Sequence, residues 1–204
     1  MSLPLPFVLP GRLETTLRTA YSEPERAYHH FGHVEEVLRE HASVPYFEDP
    51  VATALAVLFH DAVYLPGRSD NEERSAALAR RLIGEHLPAL SSKTPRVETL
   101  IRLTARHGHL DPEDVDLDAK LFLDCDMAIL GAPQERFDEY DRAIRVEHAA
   151  VPDAAYRAGR AAFLARLLEK DRIFLSELFH ERLDEPARAN LARALERIES
   201  TKAT

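Results

Sequence analysis

The chain has a single cysteine, Cys125, in 204 residues. That excludes an internal disulfide and any cysteine-rich zinc cluster, and it fits a reducing cytoplasmic location. No run approaches the ~20 consecutive apolar residues of a membrane span. The opening Met1-Ser2-Leu3-Pro4-Leu5-Pro6 lacks both a basic start and a long apolar stretch, so no signal peptide is expected. Basic residues do not dominate. The net charge is −9, which argues against an extended nucleic-acid partner. A small anionic substrate remains compatible, because a bound metal reverses the local field. Glycine is scarce, sustained strand alternation is missing, and nothing repeats at solenoid period. Apolar residues are too plentiful for disorder. A chain of this length buries roughly 70% of its unfolded surface as one domain.

What is present is helix punctuation. Apolar positions recur at three and four residues, as in Leu78, Leu82, Ile83 and Val97, Leu100, Ile101, Leu103. Most of the thirteen prolines stand where helices begin or end. Ser22 and Pro24 predict a helix running toward His41. Asp49-Pro50 opens the next, expected to end near Pro66-Gly67. Asp70 caps Asn71 to Leu87, and Thr94-Pro95 opens a helix ending near Gly108. Asp116 or Asp118 starts a short helix through Leu130, closed by Gly131. Pro133 opens one through Ala149, Pro152-Asp153 another, and Glu185-Pro186 the last. The expectation is an all-α bundle of about eight helices, a single domain over residues 1–204.

Four clusters of polar residues interrupt this pattern. His60-Asp61 ends the apolar run Val51 to Phe59, and a buried charge is normally paired or bound to a metal. Adjacent helical residues diverge by about 100°, yet one metal over the groove between them meets both. Imidazole nitrogen with carboxylate oxygen suits Mn, Fe, Zn, Ni or Mg. The plainer reading is a helix-terminal histidine beside a capping aspartate. Upstream, Tyr28-His29-His30-Phe31-Gly32-His33-Val34 sets His29 and His33 four apart on one helix face; a polar stripe near a cap is the alternative. Downstream, Leu121 to Gly131 is almost wholly apolar except for Asp124 and Asp126. Carboxylates are rarely buried without a partner. The alternative there has one aspartate facing solvent and one meeting an arginine. In Asp70-Asn71-Glu72-Glu73-Arg74-Ser75, Asp70 reads first as a cap, while Glu72 serves equally as a first-turn acid or as a group leaning into the site.

Two further readings concern histidine. His107, in Thr104-Ala105-Arg106-His107-Gly108-His109, suits a metal ligand, a phosphate contact or a helix-terminal position. His41, His86, His148 and His180 stand isolated and are expected at the surface.

In chain order the pieces read His33, then His60-Asp61, then Asp126. This resembles the HD superfamily of metal-dependent phosphohydrolases, whose signature is H…HD…D on a helical bundle. More closely, the chain is similar to a bacterial branch described as predicted metal-dependent HD phosphohydrolases. The stretches that carry the likeness are Tyr28 to Val34, Phe59-His60-Asp61-Ala62-Val63-Tyr64, Asp70 to Ala76 and Phe122 to Gly131. Ile144-Arg145-Val146-Glu147 and Ala187-Arg188-Ala189-Asn190-Leu191 add to it. They span roughly residues 20–195. One departure is His29-His30 ahead of His33, where this branch more often has His-Asn, which leaves His30 free to make a contact of its own.

The resemblance implies that His33, His60, Asp61 and Asp126 hold a divalent ion, drawn from Mn, Fe, Ni, Co, Mg or Zn. It implies hydrolysis of a phosphate ester on a nucleotide or similar small metabolite. Asp61 would ligate and orient water, with Glu72 or Asp70 as general base. His29, His107 and Arg145 are the candidate phosphate contacts, Arg145 because its planar fork holds two oxygens. A sensor that binds metal and nucleotide without turnover is the main rival. A di-iron oxygenase is a third reading and would need His107 as an extra ligand. The apolar C-terminal helices suit pairing in a homodimer.

Overall fold

A computed structural model of the chain describes residues 3–200. Among the described residues there are nine α-helices and no strand. They are α1 (Gly11–Ala20), α2 (Phe31–Ser43), α3 (Pro50–Phe59), α4 (Asn71–His86), α5 (Thr94–Thr104), α6 (Leu117–Met127), α7 (Gln134–Glu147), α8 (Asp153–Glu169) and α9 (Glu177–Ser200). Short 3₁₀ turns occupy Pro88–Lys93, Pro112–Asp114 and Ala128–Gly131. The all-α expectation holds. The helix it omitted is α1, which anchors itself with the fully buried Leu13 and Leu17.

Helix α3 is the axis of the bundle. Every residue from Ala52 to Phe59 is buried, and α2, α4, α5 and α6 all pack on it. Its start follows the sequence signal: the Asp49 carboxylate accepts from the Ala52 N–H at 3.1 Å, with Pro50 in the first turn. Its end does not. The helix stops at Phe59, several residues before Pro66-Gly67. The carbonyls of Asp61 and Ala62, which would continue it, accept instead from the Arg26 guanidinium at 2.7 and 3.4 Å. Beyond them, the Val63 N–H and carbonyl both bond to the Ser75 hydroxyl.

Two helix starts also differ from expectation. Helix α2 begins at Phe31 and not near Pro24. The backbone N–H groups of Tyr28 and His29 are captured by Glu147 at 2.7 and 2.8 Å, and the His30 imidazole caps the Gly32 N–H at 2.9 Å. The spare histidine is thus a cap. Helix α9 begins at Glu177, and Pro186 lies inside it. Proline there forfeits one helical hydrogen bond. The start is fixed from outside by the buried Asp124, which accepts from Leu175 N–H (2.8 Å), Ser176 N–H (2.7 Å) and the Ser176 hydroxyl (2.5 Å).

His41 is a correction as well. It is buried, stacked on Phe47 at 4.2 Å and bonded to the Thr53 hydroxyl at 2.8 Å. His86, His148 and His180 are partly exposed. None of the described helices is long and apolar enough to cross a membrane.

Candidate metal centre

The ends of α2, α3 and α6 bring four lone-pair atoms together. His33 projects from the first turn of α2, His60 caps the C-terminus of α3, and Asp126 lies in the last turn of α6. The two imidazoles meet Nε2 to Nε2 at 3.1 Å. Asp126 Oδ1 lies 3.0 Å from His33 Nε2 and 3.4 Å from His60 Nε2. Asp61 Oδ2 lies 3.0 Å from His60 Nε2 and 3.8 Å from His33 Nε2. Among the described residues, His33, His60 and Asp126 form a group whose ligand atoms all fall within 4.8 Å of one another. Both imidazoles are almost fully buried, at 3% and 1% exposure.

Tautomers decide what this arrangement wants. His60 Nδ1 donates to the Val57 carbonyl at 2.9 Å, so in the neutral ring the lone pair sits on Nε2 and points into the cluster. It faces a second imidazole nitrogen and two carboxylate oxygens. Acceptors at such spacing repel unless a cation lies among them, so the donor set fits a metal ion. The same field also draws a proton onto His60. Burial disfavours a charged His60, but Asp61 and Asp126 outweigh burial and hold it well above the ordinary histidine value. Asp126 is pulled well below the carboxylate range: burial opposes this, and His60, His107 and His33 override it. Asp61 shifts the same way, against burial, under the pull of His60 and His29. For His33, burial wins and lowers the value. Its Nδ1 is buried without a hydrogen-bond partner among the described residues. Packing holds this ring, with Tyr28 at 4.8 Å.

A second layer surrounds the cluster. His107 Nε2 bonds Asp126 Oδ2 at 2.8 Å, using the carboxylate oxygen that faces away from the imidazoles. His29 Nε2 lies 4.0 Å from Asp61 Oδ2, and its Nδ1 is held by Glu147 Oε2 at 2.6 Å. Glu147 also accepts from the Tyr64 hydroxyl at 3.1 Å. Burial would raise this carboxyl, but the His29 ring and the two backbone N–H groups lower it to about 2. Arg26, itself buried, bonds the His29 and Asp61 carbonyls at 2.9 and 2.7 Å. It thereby ties the irregular segment before α2 to the end of α3.

Of the residues singled out in the sequence, six come together: His29, His33, His60, Asp61, His107 and Asp126. Asp124 does not, being spent on the start of α9. No hydrogen bond, ion pair or ring contact joins Asp70, Glu72 or Arg145 to the cluster. Asp70 is paired with Arg68 at 2.7 Å on the surface. Glu72 makes no polar contact among the described residues. Arg145 bonds the His148 carbonyl at 2.8 Å, pairs with Asp153 at 3.4 Å and stacks on Tyr156. Arg26 and Glu147 went unassigned in the sequence. Arg26 sits in a polar run that gives no hint of burial, and Glu147 reaches His29 from 118 residues away.

Two cavities flank the cluster and share Tyr28, His33, Asp126 and Ile129 as walls. The smaller, about 180 Å³, is lined by His29, His107, Tyr140 and Phe163. The larger, about 350 Å³, runs along α2 toward α7 and α9. Comparison of the chain with models of known protein families, with characterised proteins and with solved structures finds no match.

Proposed function

We propose that the chain is a metal-dependent phosphohydrolase of the HD type, acting on a phosphate ester of a nucleotide or similar small metabolite in the cytoplasm. The observation that carries this reading is the convergence of His33, His60 and Asp126, whose ligand atoms lie within 4.8 Å of one another, with Asp61 Oδ2 at 3.0 Å from His60 Nε2 and 3.8 Å from His33 Nε2. Their order along the chain matches the H…HD…D resemblance. This N and O donor set suits Mn, Fe, Co, Ni, Zn or Mg. His33, His60 and Asp126, with Asp61 beside them, would hold a divalent ion, which would supply Lewis acidity for a phosphate ester and for water at neutral pH.

The chain's own groups do the rest. Asp61, fixed by its neighbour His60 and by Arg26 on its carbonyl, orients the attacking water. His29 and His107 stand on either side of the cluster and face the smaller cavity, where they hold the phosphate oxygens. Glu147 and Asp126 fix those two rings through 2.6 and 2.8 Å bonds. Aromatic walls from Tyr28, Tyr140 and Phe163 limit water in the cleft. Asp70, Glu72 and Arg145 take no step in this scheme, because none contacts the cluster.

The test is metal content after purification without added metal, paired with phosphate release from a panel of phosphate esters supplemented with Mn, Co, Ni or Mg. His60→Ala and Asp126→Ala are expected to lose both the ion and at least about 10²-fold in hydrolysis. Retention of both properties in either variant overturns the reading. Tight nucleotide binding without release across the panel would make the protein a sensor. Two ions per chain would favour the di-iron alternative, with His107 on the second ion.

A further inference from the structure

Resting on the phosphohydrolase reading, we propose that the larger cavity holds the body of the substrate. We further infer that this substrate carries a second anionic group, a phosphate or carboxylate, received by Arg39. A phosphate ester has two ends, and the cluster fixes only one. At about 350 Å³ the larger cavity falls in the range of small-molecule sites, while the other, at about 180 Å³, is below it. Its inner wall is the cluster itself, through His33 and Asp126.

The charged wall of this cavity is uneven. Glu36, Arg39 and Glu40 from α2, Arg136 from α7 and Arg182 from α9 all line it. Four of these five are matched. Arg136 bonds both oxygens of Glu36 at 2.7 Å, and Arg182 bonds Glu40 at 2.5 Å. Arg39 is exposed and makes no hydrogen bond or ion pair among the described residues. It is therefore the surplus positive charge of the wall. A guanidinium binds a phosphate or carboxylate through two parallel N–H···O bonds.

The geometry of α2 links this charge to the cluster. Residues three and four apart share a helix face, so the face that begins at His33 continues through Glu36 and Val37 to Glu40, with Arg39 beside it. Six residues of rise, about 9 Å, separate His33 from Arg39 along the axis. A phosphate at the cluster and a second anion at Arg39 then belong to one compact, doubly anionic molecule. Simple monophosphates reach only the first of these positions.

Two matched pairs of ligands test this: adenosine 3′,5′-bisphosphate against adenosine 5′-monophosphate, and fructose 1,6-bisphosphate against fructose 6-phosphate. Binding to Mn-loaded protein is read by calorimetry where the ester survives, and as kcat/KM where it is turned over. The wild type is expected to prefer the doubly anionic member of at least one pair by about tenfold, the effect of one charged hydrogen-bonded contact. Arg39→Gln should bring that ratio toward one, and Arg39→Lys should keep part of it. Equal affinity within both pairs overturns the inference, and so does a preference that survives Arg39→Gln. Failure of every ester to bind overturns it too. If no ester releases phosphate yet the preference and its dependence on Arg39 stand, the hydrolase reading falls and the doubly anionic ligand remains.

Discussion

At the scale of single residues, the site works by fixing imidazoles from behind. Glu147 spends its whole carboxylate this way, taking two backbone N–H groups, the His29 ring and the Tyr64 hydroxyl. Glu147→Gln keeps the shape but replaces an ionised acceptor with an amide. We expect phosphate release to fall about 10- to 100-fold, as for other groups that orient site histidines from behind, while circular dichroism stays native. Unchanged turnover would show that His29 needs no such support. His41 has a structural role, and it makes the protein acid-sensitive. Burial outweighs the field of Asp118 and lowers it from 6.5 to about 4. The unfolded ring takes up its proton near 6.5 and the folded ring only near 4. Between these values the unfolded state binds more protons, so stability falls as pH falls. The contribution is complete above 6.5 and gone by about 4, with a ceiling of about 3 kcal/mol. Denaturation of wild type and His41→Gln at pH 7.5 and 4.5 reads it directly. The wild type should lose more stability across the interval, and equal losses would remove His41 as the cause.

At the scale of elements, the bundle is held where turns meet helix ends. Gly131 closes the 3₁₀ turn after α6, and α9 lies directly on it. A Cβ there would sit 2.7 Å from Leu183 Cβ and 2.9 Å from the Leu183 carbonyl oxygen. Asn190 on α9 meanwhile bonds the Leu130 and Ala132 carbonyls, both at 2.8 Å. Gly131→Ala forces α9 away from those carbonyls, at a cost of about 1–3 kcal/mol. Thermal unfolding several degrees below wild type is expected, and an unchanged midpoint would mean the turn absorbs the methyl. The same elements show what the sequence can and cannot disclose. Local signals were legible: Asp49-Pro50, Thr94-Pro95 and Asp116 each mark a helix start to within a residue. His33, His60, Asp61 and Asp126 were legible too, because polar residues stand out in apolar helices. Pro24 and Pro186 misled, since the segments that lead into α2 and α9 are held by distant side chains, Glu147 and Asp124. Contacts between residues about 50 or 120 apart leave no local trace. Arg145 misled for the converse reason: its guanidinium is held close by, at the His148 carbonyl, Asp153 and Tyr156.

At the scale of the whole molecule, the cluster joins three helices, α2, α3 and α6, that also pack on one another. α2, α3 and α6 each supply at least one of its side chains, and a metal held by all three binds the folded chain alone, since the unfolded chain scatters the donors. Mass action then sets the effect. Free ion at a thousand times its dissociation constant stabilises the fold by about 4 kcal/mol, or roughly 8–16 °C for a domain of this size. Protein stripped with a chelator should therefore melt well below the same protein reloaded with Mn. The gap should grow with the logarithm of free metal. Asp126→Asn offers the control: it keeps the volume and removes the charge that two imidazoles and His107 surround. In that variant the stripped and loaded melting curves should nearly coincide. A stripped wild type that melts together with its Mn-loaded form would show that no ion bridges these helices, and the chemistry proposed for them would lose its foundation.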